Sequence, residues 1–145
     1  MEAIEFLKKQ EPLPVLVYSK EVEKAAQAHA EDLERNSQCA HVGGDGNGPT
    51  QRVGKQLKWT KMVAECIEVC GKAASDIICS LIVDDGNEER SNRKVLFSKN
   101  CHLVGVSCVP HPIYGILTVI NFIGGYQEAK SAETPMEPTP QPVQY

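Results

Sequence analysis

No stretch of this sequence has enough consecutive apolar residues to cross a bilayer, which excludes membrane insertion by a hydrophobic helix. There is no basic cluster either. The 15 Lys and Arg are scattered among 19 Asp and Glu, and the formal charge of −4 argues against a surface built for phosphate backbones, so no nucleic-acid partner is expected. The N-terminal residues Met1 to Lys9 lack a basic region followed by an apolar run. The expectation is therefore a cytoplasmic protein with reduced thiols, the alternative being a secreted protein whose leader has been removed. The six cysteines include no Cys-x-x-Cys pair, so the close ligand spacing of a zinc site is missing. No internal repeat is visible.

The chain does have the length of a single domain, 145 residues, ending in a change of composition. Residues 1–126 read as one folded domain. Residues 127–145 are rich in proline and poor in apolar side chains, which points to an extended tail, with Pro135, Pro138, Pro140, Pro142 and Tyr145 as its candidate partner-binding residues. At the centre of the domain lies Cys39-Ala40-His41-Val42-Gly43-Gly44-Asp45-Gly46-Asn47-Gly48-Pro49, a glycine-dense loop that can wrap tightly and present His41 at a cleft.

Before that loop, Ser19 is placed to cap a helix whose first turn carries Glu21 and Glu23. Val22, Ala25, Ala26, Ala30 and Leu33 recur at helical spacing, with His29 in or beside that stripe as a hydrogen-bonded core residue. After it, Pro49 to Gly54 reads as a short helix, with Arg52 positioned to brace the loop. Trp59 to Val69 fits a strand on which Glu65 and Ile67 share one face and Cys66 and Glu68 the other. Lys72 to Asp84 is a helix in which nearly every turn is expected to feed the core, Cys79 included as a small hydrophobe. Leu103 to Val109 and Gly115 to Ile123 are nearly continuously apolar strands that should pair as an antiparallel hairpin, covered on both faces by helices. The predicted fold class is α+β, a three-layer α-β-α sandwich around a mainly antiparallel sheet.

These segments, in this order, resemble the CAP superfamily (cysteine-rich secretory proteins, antigen 5 and pathogenesis-related 1), in particular its compact SCP domains. The resemblance rests on Ala25-Ala26-Gln27-Ala28-His29-Ala30, on His41 to Gly46 followed by Pro49 and Arg52, on Glu65 after the tryptophan segment, and on Asp84-Asp85-Gly86. Arg93-Lys94 with Phe97, Val104-Gly105-Val106 and Thr118 to Gly125 complete it. It implies an α-β-α sandwich with a cleft lined by two histidines and two acids, which binds a divalent metal in some members. His41 matches the first histidine and Glu65 the glutamate of a Gly-Glu-Asn motif, here Ala64-Glu65-Cys66. Asn92 stands where the second histidine belongs, and Asp84 or Asp85 is the nearest match to the second acid. The expected cleft remnant is thus His41, Glu65, Asp84 and Asn92. A neutral amide replaces imidazole poorly as a ligand, so no metal or other cofactor is expected, zinc at His41 and Glu65 being the weaker alternative.

Three functions follow from this reading. The first is a non-catalytic interaction or structural module whose tail binds other proteins of an intracellular assembly, cytoskeletal or ciliary. The second is a secreted binder of a sterol, lipid or other small ligand near His41 and Glu65. The third is a weak hydrolase using Glu65 or Cys66 with His41.

Overall fold

A computed structural model describes residues 1–127, and the tail residues Pro135, Pro138, Pro140, Pro142 and Tyr145 lie outside the described residues. The elements run α1 (Glu2–Lys9), β1 (Val17–Tyr18), α2 (Lys20–Asn36), α3 (Pro49–Gly54), β2 (Trp59–Val69), α4 (Ala74–Val83), α5 (Ser91–Leu96), β3 (Leu103–His111) and β4 (Gly115–Tyr126). The four described strands form one sheet in the order β1-β3-β4-β2, with β1 parallel to β3 and every other pair antiparallel. The β3–β4 hairpin and the long strand at 59–69 are as the sequence predicts. Neither the two-residue β1 nor α5 carries enough periodic apolar residues to be recognised from sequence.

Strand alternation divides the core into two layers. On one face α2 lies along the sheet. Val22 and Ala25 pack with Val53, Leu103 and Ile123, and Ala26, Ala30 and Leu33 pack with Leu117 and Val119. On the other face Cys66, Ile120 and Phe122 meet Leu81 of α4 and Cys101, with Val95 and Leu96 of α5 against them. The three-layer sandwich is therefore as expected.

Two local features fix the position of α2. The Ser19 hydroxyl accepts from the Val22 amide at 3.3 Å and caps the helix start. Gly105 of β3 lies directly beneath the first turn. A Cβ there would come within 2.2 Å of the Glu23 nitrogen and 2.4 Å of the Val22 carbonyl carbon, so a hydrogen at this position lets helix and strand touch backbone to backbone.

Helix α4 departs from expectation. It spans Ala74–Val83, and Leu81 is its one buried side chain. Ile78 remains 41% exposed, Val83 48% exposed, and Cys79 is a surface thiol rather than core filling. The apolar pattern of this segment goes all the way round the helix, so a helix resting on a single face of the sheet cannot bury all of it.

Candidate functional site

Glu65 is the centre of a buried polar cluster on the α2 face of the sheet. Its side chain is only 1% exposed. Arg52, near the end of α3, donates from Nη2 to Glu65 Oε2 at 2.8 Å and to the His41 carbonyl at 3.0 Å, while its Nη1 donates to the Asn47 carbonyl at 2.7 Å. The expected bracing of the glycine loop by Arg52 is thus present in geometry, with the guanidinium pinning both ends of the loop. His41 lies over the carboxylate, donating from Nδ1 to Glu65 Oε1 at 2.9 Å with its own side chain 58% exposed.

Within the loop, Gly46 takes a left-handed φ of 78° and turns the chain, and the Gly44 amide donates to Asp32 Oδ2 of α2 at 2.7 Å. His29 reaches the cluster from α2, donating from Nε2 to the Ala40 carbonyl at 2.7 Å and standing 3.7 Å from Glu65 Oε1. Burial holds its pKa below the ordinary histidine value. Arg52 adds to this effect, while the nearby Glu65 opposes it. Asn121 of β4 completes the shell: with its amide assigned so that the nitrogen faces Glu65, as the hydrogen-bonding neighbours require, it donates to Oε2 at 3.0 Å and its oxygen accepts from the Ala26 amide at 3.2 Å.

The role of Asn121 was not legible in sequence. It sits inside an apolar strand, and only the β2–β4 register places it opposite Glu65.

Asp84 and Asn92, the other half of the expected cleft remnant, are elsewhere. They belong to the α4/α5 layer, on the opposite side of β2 from the Glu65 side chain. Cys66, the neighbour of Glu65, faces that layer and approaches the Asn92 carbonyl at 4.0 Å. Asp84 ends α4 in a left-handed conformation with φ 51°, and its carboxylate is turned onto the start of α5. It accepts from the Asn92 amide at 2.9 Å, from Asn92 Nδ2 at 2.8 Å and from Asn87 Nδ2 at 3.1 Å. An acid accepting the orphan amides of a helix start is a capping group supplied from another helix. The sequence raised the question of why carboxylates end α4, and this arrangement answers it for Asp84. Arg93 locks the same corner, donating to the Ile82 and Val83 carbonyls and to Glu2 Oε2 of α1 at 2.8 Å.

A divalent ion fits neither cluster. Both oxygens of Glu65 already accept from His41 and Arg52, and the adjacent guanidinium charge repels a cation. The oxygens of Asp84 are taken by amides. The four residues that the resemblance groups together lie in two layers, and among the described residues no three His, Cys, Asp or Glu side chains gather as ligands. The pairing of Cys66 with His41 fails for the same topological reason: the sheet separates them. Burial and the nearby Asp84 and Glu65 push the Cys66 thiol up to about 12, the reverse of an activated nucleophile.

The under-covered part of the α4 layer forms a groove. Ile77 and Ile78 of α4 form one wall, Val106 and Cys108 of β3 with Ile116 and Ile120 of β4 the floor, enclosing about 340 Å³. The lining is almost wholly apolar. It faces away from His41 and Glu65, on the other side of the sheet. A larger hollow of about 800 Å³ beside β1 mixes Tyr18, Leu57, Leu103 and Tyr126 with the charged Lys20, Glu21 and Lys58.

The model of the CAP family, described as the cysteine-rich secretory protein family, matches residues 3–122. The chain belongs to this family. No curated protein matches the chain. Among solved structures, this CAP domain is similar to an outer surface protein from Borrelia burgdorferi, at 20% identity and a TM-score of 0.67 over 86% of this chain and 87% of that one. It is also similar to an extracellular protein containing an SCP domain from Bacillus anthracis, at 21% identity and a TM-score of 0.59 over 77% of this chain and 34% of that one.

These findings overturn the expected cytoplasmic location and, with it, the cytoskeletal and ciliary settings. The family is described as secretory, and both similar structures are outer-surface or extracellular proteins. The cytoplasmic expectation rested on the first residues of the sequence alone, which do not decide the compartment.

Proposed function

We propose that this CAP domain works outside the cell as a non-catalytic binding module for an apolar small molecule, an acyl chain or one end of a sterol, held in the groove between α4 and the β3–β4 hairpin. The observation that carries this reading is the groove itself. Ile77, Ile78, Val106, Ile116 and Ile120 line a concavity of about 340 Å³, near the lower end of the roughly 300–1,000 Å³ typical of ligand pockets. Transfer of apolar surface out of water supplies the affinity.

The polar cluster around Glu65 has a structural role in this reading. It ties α2, the glycine loop, α3 and β2 together and engages both carboxylate oxygens in hydrogen bonds within the fold. The secretory description of the family supports the extracellular setting.

Titration with cis-parinaric acid tests the reading. The wild-type domain should bind it, and Ile78→Lys, a change on an exposed residue of the groove wall, should weaken binding at least tenfold. Val83→Lys removes an equally exposed apolar side chain of α4 that does not line the groove, and should leave binding within about twofold. Equal affinity of all three proteins would remove the groove as the site.

A further inference from the structure

A further hollow, of about 290 Å³, lies between α2, the glycine loop and the end of α3. His29 and Arg52 both line it, and both are almost wholly buried, at 1% and 7% exposure. Each carries one nitrogen without a hydrogen-bond partner among the described residues, Nδ1 of His29 and Nε of Arg52. Buried polar atoms are rarely left in this state, and two of them in the wall of one hollow call for a group from outside the chain. We propose that this hollow binds a small polyhydroxylated molecule, a polyol or a single sugar ring, one of whose hydroxyls completes the two nitrogens. The site lies in the α2 layer, across the sheet from the apolar groove, and does not depend on what that groove binds.

The two orphaned nitrogens select the ligand. His29 Nε2 lies 2.7 Å from the Ala40 carbonyl, which can only accept, so Nε2 carries the proton of the neutral ring and Nδ1 is a bare acceptor. Arg52 Nε always carries a hydrogen, and the other two guanidinium nitrogens are committed to the Asn47 and His41 carbonyls and to Glu65. One nitrogen therefore needs a donor and the other an acceptor. A hydroxyl is both at once. A carboxylate accepts only, and it would meet the lone pair of Nδ1.

The rim repeats the mixture. Arg35 and Lys55 bring donors, while Asp32 and Asp45 bring acceptors. The two carboxylates are held in place, Asp32 Oδ2 by the Gly44 amide at 2.7 Å and Asp45 Oδ1 by the Asn47 amide at 2.9 Å. A rim of both signs favours no net charge, and it suits several hydroxyls that each give and take a hydrogen bond. On the α2 side the exposed Ala28 contributes only a methyl group, which leaves the hollow open. Its volume is close to the lower end of the roughly 300–1,000 Å³ of ligand pockets, room for one ring rather than a chain.

The test uses the isotope-labelled full chain at neutral pH, where burial keeps His29 uncharged. The Nδ1 resonance of His29 is followed in long-range proton–nitrogen NMR spectra while D-glucose, myo-inositol or glycerol is added to millimolar excess. Expected is a saturable movement of Nδ1 from the position of a bare acceptor toward that of a hydrogen-bonded one with at least one of the three. Ala28→Phe fills the hollow from an exposed position and should weaken this binding at least tenfold. Gln27→Phe places the same ring on the neighbouring exposed residue, outside the hollow, and should leave binding within about twofold. Maltotriose separates the two sources of a sugar ring: a response equal to that of glucose supports the end of a sugar chain, and a response to glucose alone supports a free sugar.

An Nδ1 resonance that no polyol or sugar moves overturns the proposal. If that resonance already has the hydrogen-bonded position without additive, a resident water is the occupant. Movement with sodium phosphate and with none of the hydroxyl probes overturns it in favour of an anion. Binding that Ala28→Phe leaves unchanged overturns the assignment to this hollow.

Discussion

Glu65 and Arg52 form an ion pair withdrawn from water, so each needs the other more than the fold needs either. Glu65→Gln leaves the Arg52 charge buried without its counter-ion. The expected cost is about 3–5 kcal/mol in urea unfolding. His41 touches the same carboxylate from the solvent side, with its side chain 58% exposed. His41→Ala should therefore cost no more than about 1 kcal/mol. Comparable losses from the two variants would contradict a structural role for the cluster and return His41 to the functional question.

His29 adds a pH dependence with a definite sign. Its pKa is lowered in the folded protein, so between that lowered value and the unfolded value near 6.5 the unfolded chain binds the extra proton. Its contribution is neutral above about pH 6.5, and stability falls as the pH drops below that, at no more than about 1.4 kcal/mol per pH unit. Glu65, Arg52 and Asp32 are the charged groups facing it. His29→Gln can still donate to the Ala40 carbonyl and should flatten the profile between about pH 6.5 and 5, followed by urea unfolding at each pH.

At the level of elements, the contact between α2 and β3 depends on a missing side chain. Gly105→Ala forces a methyl group into the backbone of Val22 and Glu23, where no flexible side chain can give way. A loss of about 1–3 kcal/mol or more is expected, with the helix displaced from the sheet. Thermal denaturation measures the loss, and amide exchange of Val22 and Ala25 locates it. An unchanged melting temperature would mean that α2 does not rest on β3 as described.

The helix α4 shows the opposite condition, an apolar element with too little sheet beneath it. Its pattern announced a helix correctly, but the extent of its burial could not be read from that pattern. Hydrophobic periodicity records which faces are apolar, whereas burial depends on how many neighbours arrive. Asp84 gives a related lesson. Next to the helix end in sequence it looks unfavourable, and only the approach of α5 shows that its carboxylate caps another helix.

Across the whole molecule, the two core layers protect two thiols and leave four outside. Cys66 and Cys101 are buried, and burial raises the pKa of both, Cys66 to about 12. At neutral pH the thiolate is the reactive form. Native labelling with a maleimide should therefore spare Cys66 and Cys101 until denaturant is added, while the exposed Cys79 reacts promptly. Labelling of Cys66 in the native protein would place it outside the core described.

The sequence by itself determined the order of the main elements, the α-β-α layering and the family. The first two follow from local signals: period-3.6 stripes, a capping serine, proline and glycine stops, and two apolar strands joined by a short turn; the family came from the resemblance of its motifs. It also paired His41 with Glu65, through the resemblance rather than through any local rule. Only the tertiary structure decided that Asp84 and Asn92 lie in a different layer from Glu65, that Asn121 and Arg52 complete the buried cluster, and that the apolar groove opens on the far face. The reason is the two-residue alternation of a strand. It sends Glu65 and Cys66 to opposite sides of one sheet, so residues adjacent in a motif can belong to separate environments.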